Sequence, residues 1–154
     1  MSPTGPCIVS ARTHHLLRLA LVVPAGAVAI GACSNVSALE AQPGTCFTLP
    51  EGQTVTSVES LDCTHAHDAQ VIATTTLDAQ SLPSSADLDD EARTFCTEAF
   101  ADFVGVPYAR SSLDLLWWVP TEDSWRRAGD RGITCVAVTP DRSQVGVSFA
   151  DSGL

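Results

Sequence analysis

Ser84-Ser-Ala-Asp-Leu-Asp-Asp-Glu-Ala-Arg-Thr-Phe-Cys-Thr-Glu-Ala-Phe-Ala-Asp-Phe-Val-Gly105 is the stretch that decides the fold. Leu88, Ala92, Phe95, Cys96, Ala99, Phe100 and Phe103 recur at spacings of three and four, which places them on one stripe of a helix. Asp89, Asp90, Arg93, Thr97, Glu98 and Asp102 fall mostly on the other faces. Ser84 and Asp87 stand in the S-x-x-D relation of a capping box, and the early acids suit the positive end of a helix. Gly105 followed by Pro107 is a stop signal. The spacing predicts one long helix over Ser84–Gly105, with Cys96 facing the core.

Downstream of that helix the period changes to two. Ser111 to Pro120 reads as a strand with Leu113, Leu115, Trp117 and Val119 on one face and Leu116 and Trp118 on the other. A strand apolar on both faces is expected to be central or covered on both sides. Thr121 to Trp125 reads as a turn or one helical turn, with Thr121 or Asp123 as its cap. Ile133 to Val138 is a strand stopped by Pro140, and Gln144 to Phe149 is expected to be a last, shorter one. Upstream, Gly44 to Leu49 and Val55 to Cys63 read as short strands, and the β-branched run Ala69 to Leu77 is the best early strand. The expected architecture is α+β: a small antiparallel sheet with one main helix packed on one face, stapled by two disulfides.

The start of the chain gives an address. Arg12 and Arg18 precede the uncharged run Leu19-Ala-Leu-Val-Val-Pro-Ala-Gly-Ala-Val-Ala-Ile-Gly-Ala-Cys33, fifteen residues long. A spanning helix needs about 20, so the run reads as a secretory signal. Its end, Ile30-Gly31-Ala32-Cys33, resembles the lipobox of bacterial lipoproteins, in which the cysteine is lipidated and becomes the mature N-terminus. The expected organisation is a signal peptide over 1–32, a lipidated N-terminus and polar tether over 33–43, and a domain over 44–154. The expected location is the outer face of the cytoplasmic membrane, with a secreted protein as the alternative.

The chain carries 8 Lys+Arg, all of them Arg, against 18 Asp+Glu. Without Arg12 and Arg18 the mature part holds six Arg and a net charge of −12. That argues against nucleic acid and against electrostatic attachment to anionic lipid. It leaves a solvated acidic exterior or a basic partner.

Four cysteines follow the anchor: Cys46, Cys63, Cys96 and Cys135. An even number in an exported domain implies two disulfides, with three pairings available. Cys46–Cys63 closing a local loop and Cys96–Cys135 tying the helix to the sheet is the pairing expected. Cys63-Thr-His65-Ala-His67 prompts a zinc alternative, but paired C-x-x-C or H-x-x-x-H spacing is missing, so no metal or other cofactor is expected.

Taken in order, the marks form a series. Gly44-Thr-Cys46-Phe47 opens the domain, and Cys63-x-x-Ala66-His67-Asp68-Ala69-Gln70-Val71 follows. Cys96 then lies in the helix, with Tyr108 and Leu113 after Gly105. Pro120-Thr121 precedes Trp125, Gly129-Asp130-Arg131 precedes Cys135, and Val145-Gly-Val-Ser148 comes near the end. This order resembles the septum-formation family, small exported or membrane-attached domains of actinobacteria. Where that family usually has Pro-His and then Glu-Val, this chain has Ala66 and Gln70. The resemblance implies a link to cell division or the envelope and supplies no reaction.

Among single residues, His67 is the first candidate for chemistry, because a histidine titrates near neutrality. No nucleophile accompanies it: there is no G-x-S-x-G, and bridged cysteines are not free. A structural role at a strand end is the reading preferred, and no catalytic residue is assigned. Asp130 and Arg131 are expected to form a local ion pair before Cys135. Together with His67 and Trp125 they are the candidates for a functional surface. Two functions follow. One is a lipid-anchored, non-enzymatic interaction module with an unidentified envelope partner. The other is an envelope ligand-binding lipoprotein or hydrolase using His67, with His65 and Asp68 nearby; it requires His67 in a concave pocket beside a second polar group.

Overall fold

The computed structural model describes residues 34–52 and 55–154. The expected signal peptide and Cys33 lie outside the described residues. Among those described, no helix is long and apolar enough to cross a membrane.

The helix α1 spans Ser85–Val104. The Ser84 hydroxyl accepts from the Asp87 amide at 3.2 Å and donates to the Asp87 carboxylate at 2.7 Å. Gly105 ends the helix in the left-handed conformation at φ 88°, where a side chain would be strained. The amides of Asp151 and Gly153 come back to the carbonyls of Phe103 and Val104. The end of the chain thereby satisfies groups that a helix terminus leaves open.

The strands β2 (Cys46–Phe47), β4 (Ala69–Thr76), β5 (Asp114–Trp118) and β6 (Gly132–Val138) form one antiparallel sheet in the order β2-β4-β6-β5. Alternation along β6 divides the core. Ile133, Cys135 and Ala137 join the α1 stripe, Leu115 and Phe149 on one face. Val136 and Val138 join Phe47, Val71 and Val58 on the other. That second face is covered by a two-stranded antiparallel pair, β1 (Ser34–Ser37) with β3 (Ser57–Ser60). The disulfides are Cys46–Cys63 and Cys96–Cys135, with Cα–Cα separations of 5.3 and 5.4 Å. Each contributes about 2–4 kcal/mol, mainly by restricting the unfolded chain.

Three expectations change. Ser34–Ser37, in the stretch read as a tether, is a strand, and Ala38 and Ala41 beside it are buried. The doubly apolar strand β5 is an edge, not a centre: Trp118 rests on Phe47 at 5.8 Å, while Leu116 stays 38% exposed. β6 takes the central place. Gln144 to Phe149 is not a strand. Only Val145 pairs, in a single bridge with His67, and Gly146 after it passes so close to the Thr64 carbonyl that a Cβ there would lie 3.0 Å away. The helical alternative expected from Thr121 holds: a short helix, α2 (Glu122–Arg127), starts there with Thr121 as its cap and a reciprocal capping box between Thr121 and Ser124.

Phe100 is fully buried and meets Tyr108 edge-on at 5.3 Å. Phe100→Ala is expected to cost about 3–5 kcal/mol, out of the roughly 5–15 kcal/mol such a domain has. Urea unfolding with the disulfides intact measures it. A loss below about 1 kcal/mol would show that α1 is not what the sheet packs against.

Candidate functional site

Strand β4 is entered through four consecutive buried residues, His67, Asp68, Ala69 and Gln70, three of them polar. Polar groups removed from water must find partners, and the surrounding loops supply them.

The His67 backbone exchanges both hydrogen bonds with Val145, at 2.9 and 2.8 Å. Its Nδ1 lies 2.8 Å from the His65 carbonyl. A carbonyl only accepts, so Nδ1 carries the proton in this contact. Nε2 is then a bare acceptor, buried and without a hydrogen-bond partner among the described residues. The ring tilts against Phe149 with centroids 5.4 Å apart.

Asp68 divides its two oxygens. Oδ1 accepts the Leu49 amide at 2.7 Å, and Oδ2 accepts Arg142 Nε at 2.8 Å. Arg142 also donates to the Leu49 carbonyl. The carboxylate is 3% exposed and the guanidinium 42%, so the pair is a latch sealed on one side. Arg142 holds φ 60°, a conformation uncommon for a side-chain-bearing residue, and the Asp68 contact fixes it there.

Gln70 gathers the most distant segments. Its Nε2 donates to the Gly44 carbonyl and to Ser148 Oγ, each at 3.1 Å, and reaches Cys63 Sγ at 3.5 Å. Its Oε1 accepts the Phe149 amide at 2.6 Å. An amide offers both a donor and an acceptor here, which a carboxylate could not.

This arrangement binds the chain to itself. Among the described residues, His67 is fully buried and its Nε2 has no hydrogen-bond partner. His65 is exposed, with its amide donating to the Asp62 carbonyl at 2.8 Å. Depressed carboxyl pKa values occur elsewhere, in exposed turns. The amide and then the hydroxyl of Thr64 hold Asp62 below the usual carboxylate range, and the hydroxyl and amide of Ser143 do so for Asp141.

Asp130, Arg131 and Trp125 do cluster, but not with His67. The β4–β6 ladder runs from Ala69↔Val138 to Thr76↔Gly132, about 20 Å, and places them at its opposite end. The expected Asp130–Arg131 ion pair does not form. Asp130 accepts the Ser124 hydroxyl and the Gly132 amide, each at 2.9 Å. Arg131 lies 3.4 Å above the Trp125 ring centroid and donates to the carbonyls of Trp125 and Asp130. A cation over an indole face is favourable, and two adjacent side chains that point different ways cannot also bond each other.

A groove adjoins this end. It has a volume of about 530 Å³ and opens between the β1–β3 pair, the end of β5 and α2. Leu39, Val55, Trp118 and Val119 form its apolar wall, and Asp130 and Thr134 lie on its floor. Leu39 comes from the stretch read as a tether and Val55 from the start of an expected strand, so only the long-range fold assembles them with Trp118 and Val119. Among the described residues, no three His, Cys, Asp or Glu converge as metal ligands.

The fold is a small disulfide-stapled α+β domain whose buried polar residues close loops. The family described as Septum formation matches residues 29–135, and the chain belongs to it. That span includes β1 and ends at Cys135, before Arg142 and Phe149. No curated protein and no solved structure matches the chain.

His67→Ala empties a buried ring site and removes a hydrogen bond, and is expected to destabilise the domain by about 2–4 kcal/mol. Denaturant unfolding measures it. A change below about 1 kcal/mol would mean that the ring is not part of the core.

Proposed function

We propose that this chain is an exported, lipid-anchored, non-enzymatic interaction module of the cell envelope, acting with a protein partner in septum formation or cell division. Residues 1–32 are its signal peptide, Cys33 carries the acyl chains, and the domain stands at the outer face of the cytoplasmic membrane. Family membership over residues 29–135 carries the reading. Two disulfides suit an oxidising compartment. The occupation of Asp68 and Gln70 by loop contacts, with His67 sealed in the core, supports a role in recognition and not in turnover. Two or more acyl chains give a lasting anchor where a run of fifteen apolar and small residues does not.

The test is complementation of a septation defect in cells lacking the protein, combined with fractionation. Cys33→Ala is expected to leave the membrane fraction or to accumulate as precursor, and to restore septation poorly. His65→Ala is expected to restore it fully. A mature-size Cys33→Ala protein in the membrane fraction would contradict lipidation there. A folded His65→Ala protein without activity would contradict the non-enzymatic module.

A further inference from the structure

Two carboxylates are buried among the described residues, and the fold treats them differently. Asp68 faces the guanidinium of Arg142. Asp130 is 9% exposed, receives only the neutral donors of Ser124 and Gly132, and makes no ion pair among the described residues. Arg131, next in the chain, spends its charge on the Trp125 ring and two carbonyls. Arg127, at the rim, is matched to Asp123 at 2.9 Å. A carboxylate withdrawn from water without a cation is costly, and this one lies on the floor of an open groove.

The walls of the groove say what accompanies that cation. Leu39 is 54% exposed, and with Val55, Trp118 and Val119 it forms an apolar flank. Trp118 adds an aromatic surface of the kind that cations favour. Trp118 also ends β5, the edge of the sheet, whose outward backbone carries no hydrogen bond among the described residues. β5 reads Asp-Leu-Leu-Trp-Trp and has no lysine, proline or bulge of the kind that protects exposed edges. A free edge accepts an added strand, and the mature chain, at −12, attracts a basic one.

We propose that this groove takes an extended basic segment of a partner protein: its backbone pairs with the free edge of β5, and one Arg or Lys side chain, flanked by apolar residues, reaches Asp130. The proposal rests on the interaction-module reading and names its surface and the chemistry of its partner.

The full chain in detergent, panned against random peptides displayed on phage, is the direct test. Enriched peptides are expected to carry Arg or Lys beside apolar residues. A synthetic copy of the most enriched peptide is expected to bind more weakly as salt rises. Asp130→Asn should lower its affinity by about tenfold or more, about 1.4 kcal/mol, and Leu39→Arg, a new cation on an exposed position, should abolish binding. Glu98→Gln, exposed on α1 on the other face of the sheet, should bind as wild type. Enrichment without basic residues, no enrichment at all, or unchanged binding by both groove variants overturns the proposal. Should Asp130→Asn fail to fold, Leu39→Arg decides alone. A Leu39→Arg chain that loses the peptide but restores septation keeps the groove assignment and removes the septal role from it. A chain that selects no basic peptide but restores septation does the reverse.

Discussion

The side-chain amide of Gln70 sits where four segments must meet, and the rest of the fold closes around that meeting. It holds the Gly44 turn through a carbonyl, touches the sulfur of Cys63, and fixes the tail at Ser148 and Phe149. Asp68, two residues before it, does the same for Leu49 and Arg142. Each partner lies in a stretch with little or no regular structure of its own. Once β4 is buried between α1 and the β1–β3 pair, these polar atoms have no water to turn to. Leaving one unpaired would cost about 1–3 kcal/mol, so the loops are drawn in to satisfy them. Phe149 follows its amide into the core and packs against His67.

That constraint separates the molecule into two ends. Around His67 the polar groups face inward, and among the described residues the one buried side-chain atom without a hydrogen-bond partner is His67 Nε2. Around Asp130 the polar groups face a groove, beside an unpaired strand edge. A histidine that looks reactive in the sequence is thus part of the scaffold, and an aspartate that looks like half of an ion pair lines the accessible surface.

Local signals carried most of what was legible beforehand. The α1 stripe, the Ser84 cap and the Gly105 stop depend on neighbours within one or two turns, and they hold. The Cys96–Cys135 link follows from a cysteine on a helix stripe and another in a strand. Alternation along β5 reports apolar faces and not neighbours, so it does not distinguish a central strand from an edge packed on both faces. Its inner face meets α1, and its outer face needs only Trp118 against Phe47. The tail pattern Val145-Gly-Val-Ser-Phe149 alternates like a strand, but the partner of its amide is a side chain on β4, which no local period encodes. The groove is less legible still, since its walls come from the stretch read as a tether, from a loop and from β5.

Native-state hydrogen exchange tests the central claim most directly, because it reads each amide separately. If the Gln70 and Asp68 contacts close the fold, the amides of Phe149 and Leu49 exchange only in the global unfolding event. They should then fall in the slowest class, alongside those of Val136 and Ala137 in β6. Exchange of Phe149 at the rate of the exposed Val147 amide beside it would contradict the account, because the tail would then open freely and the buried row would not depend on it.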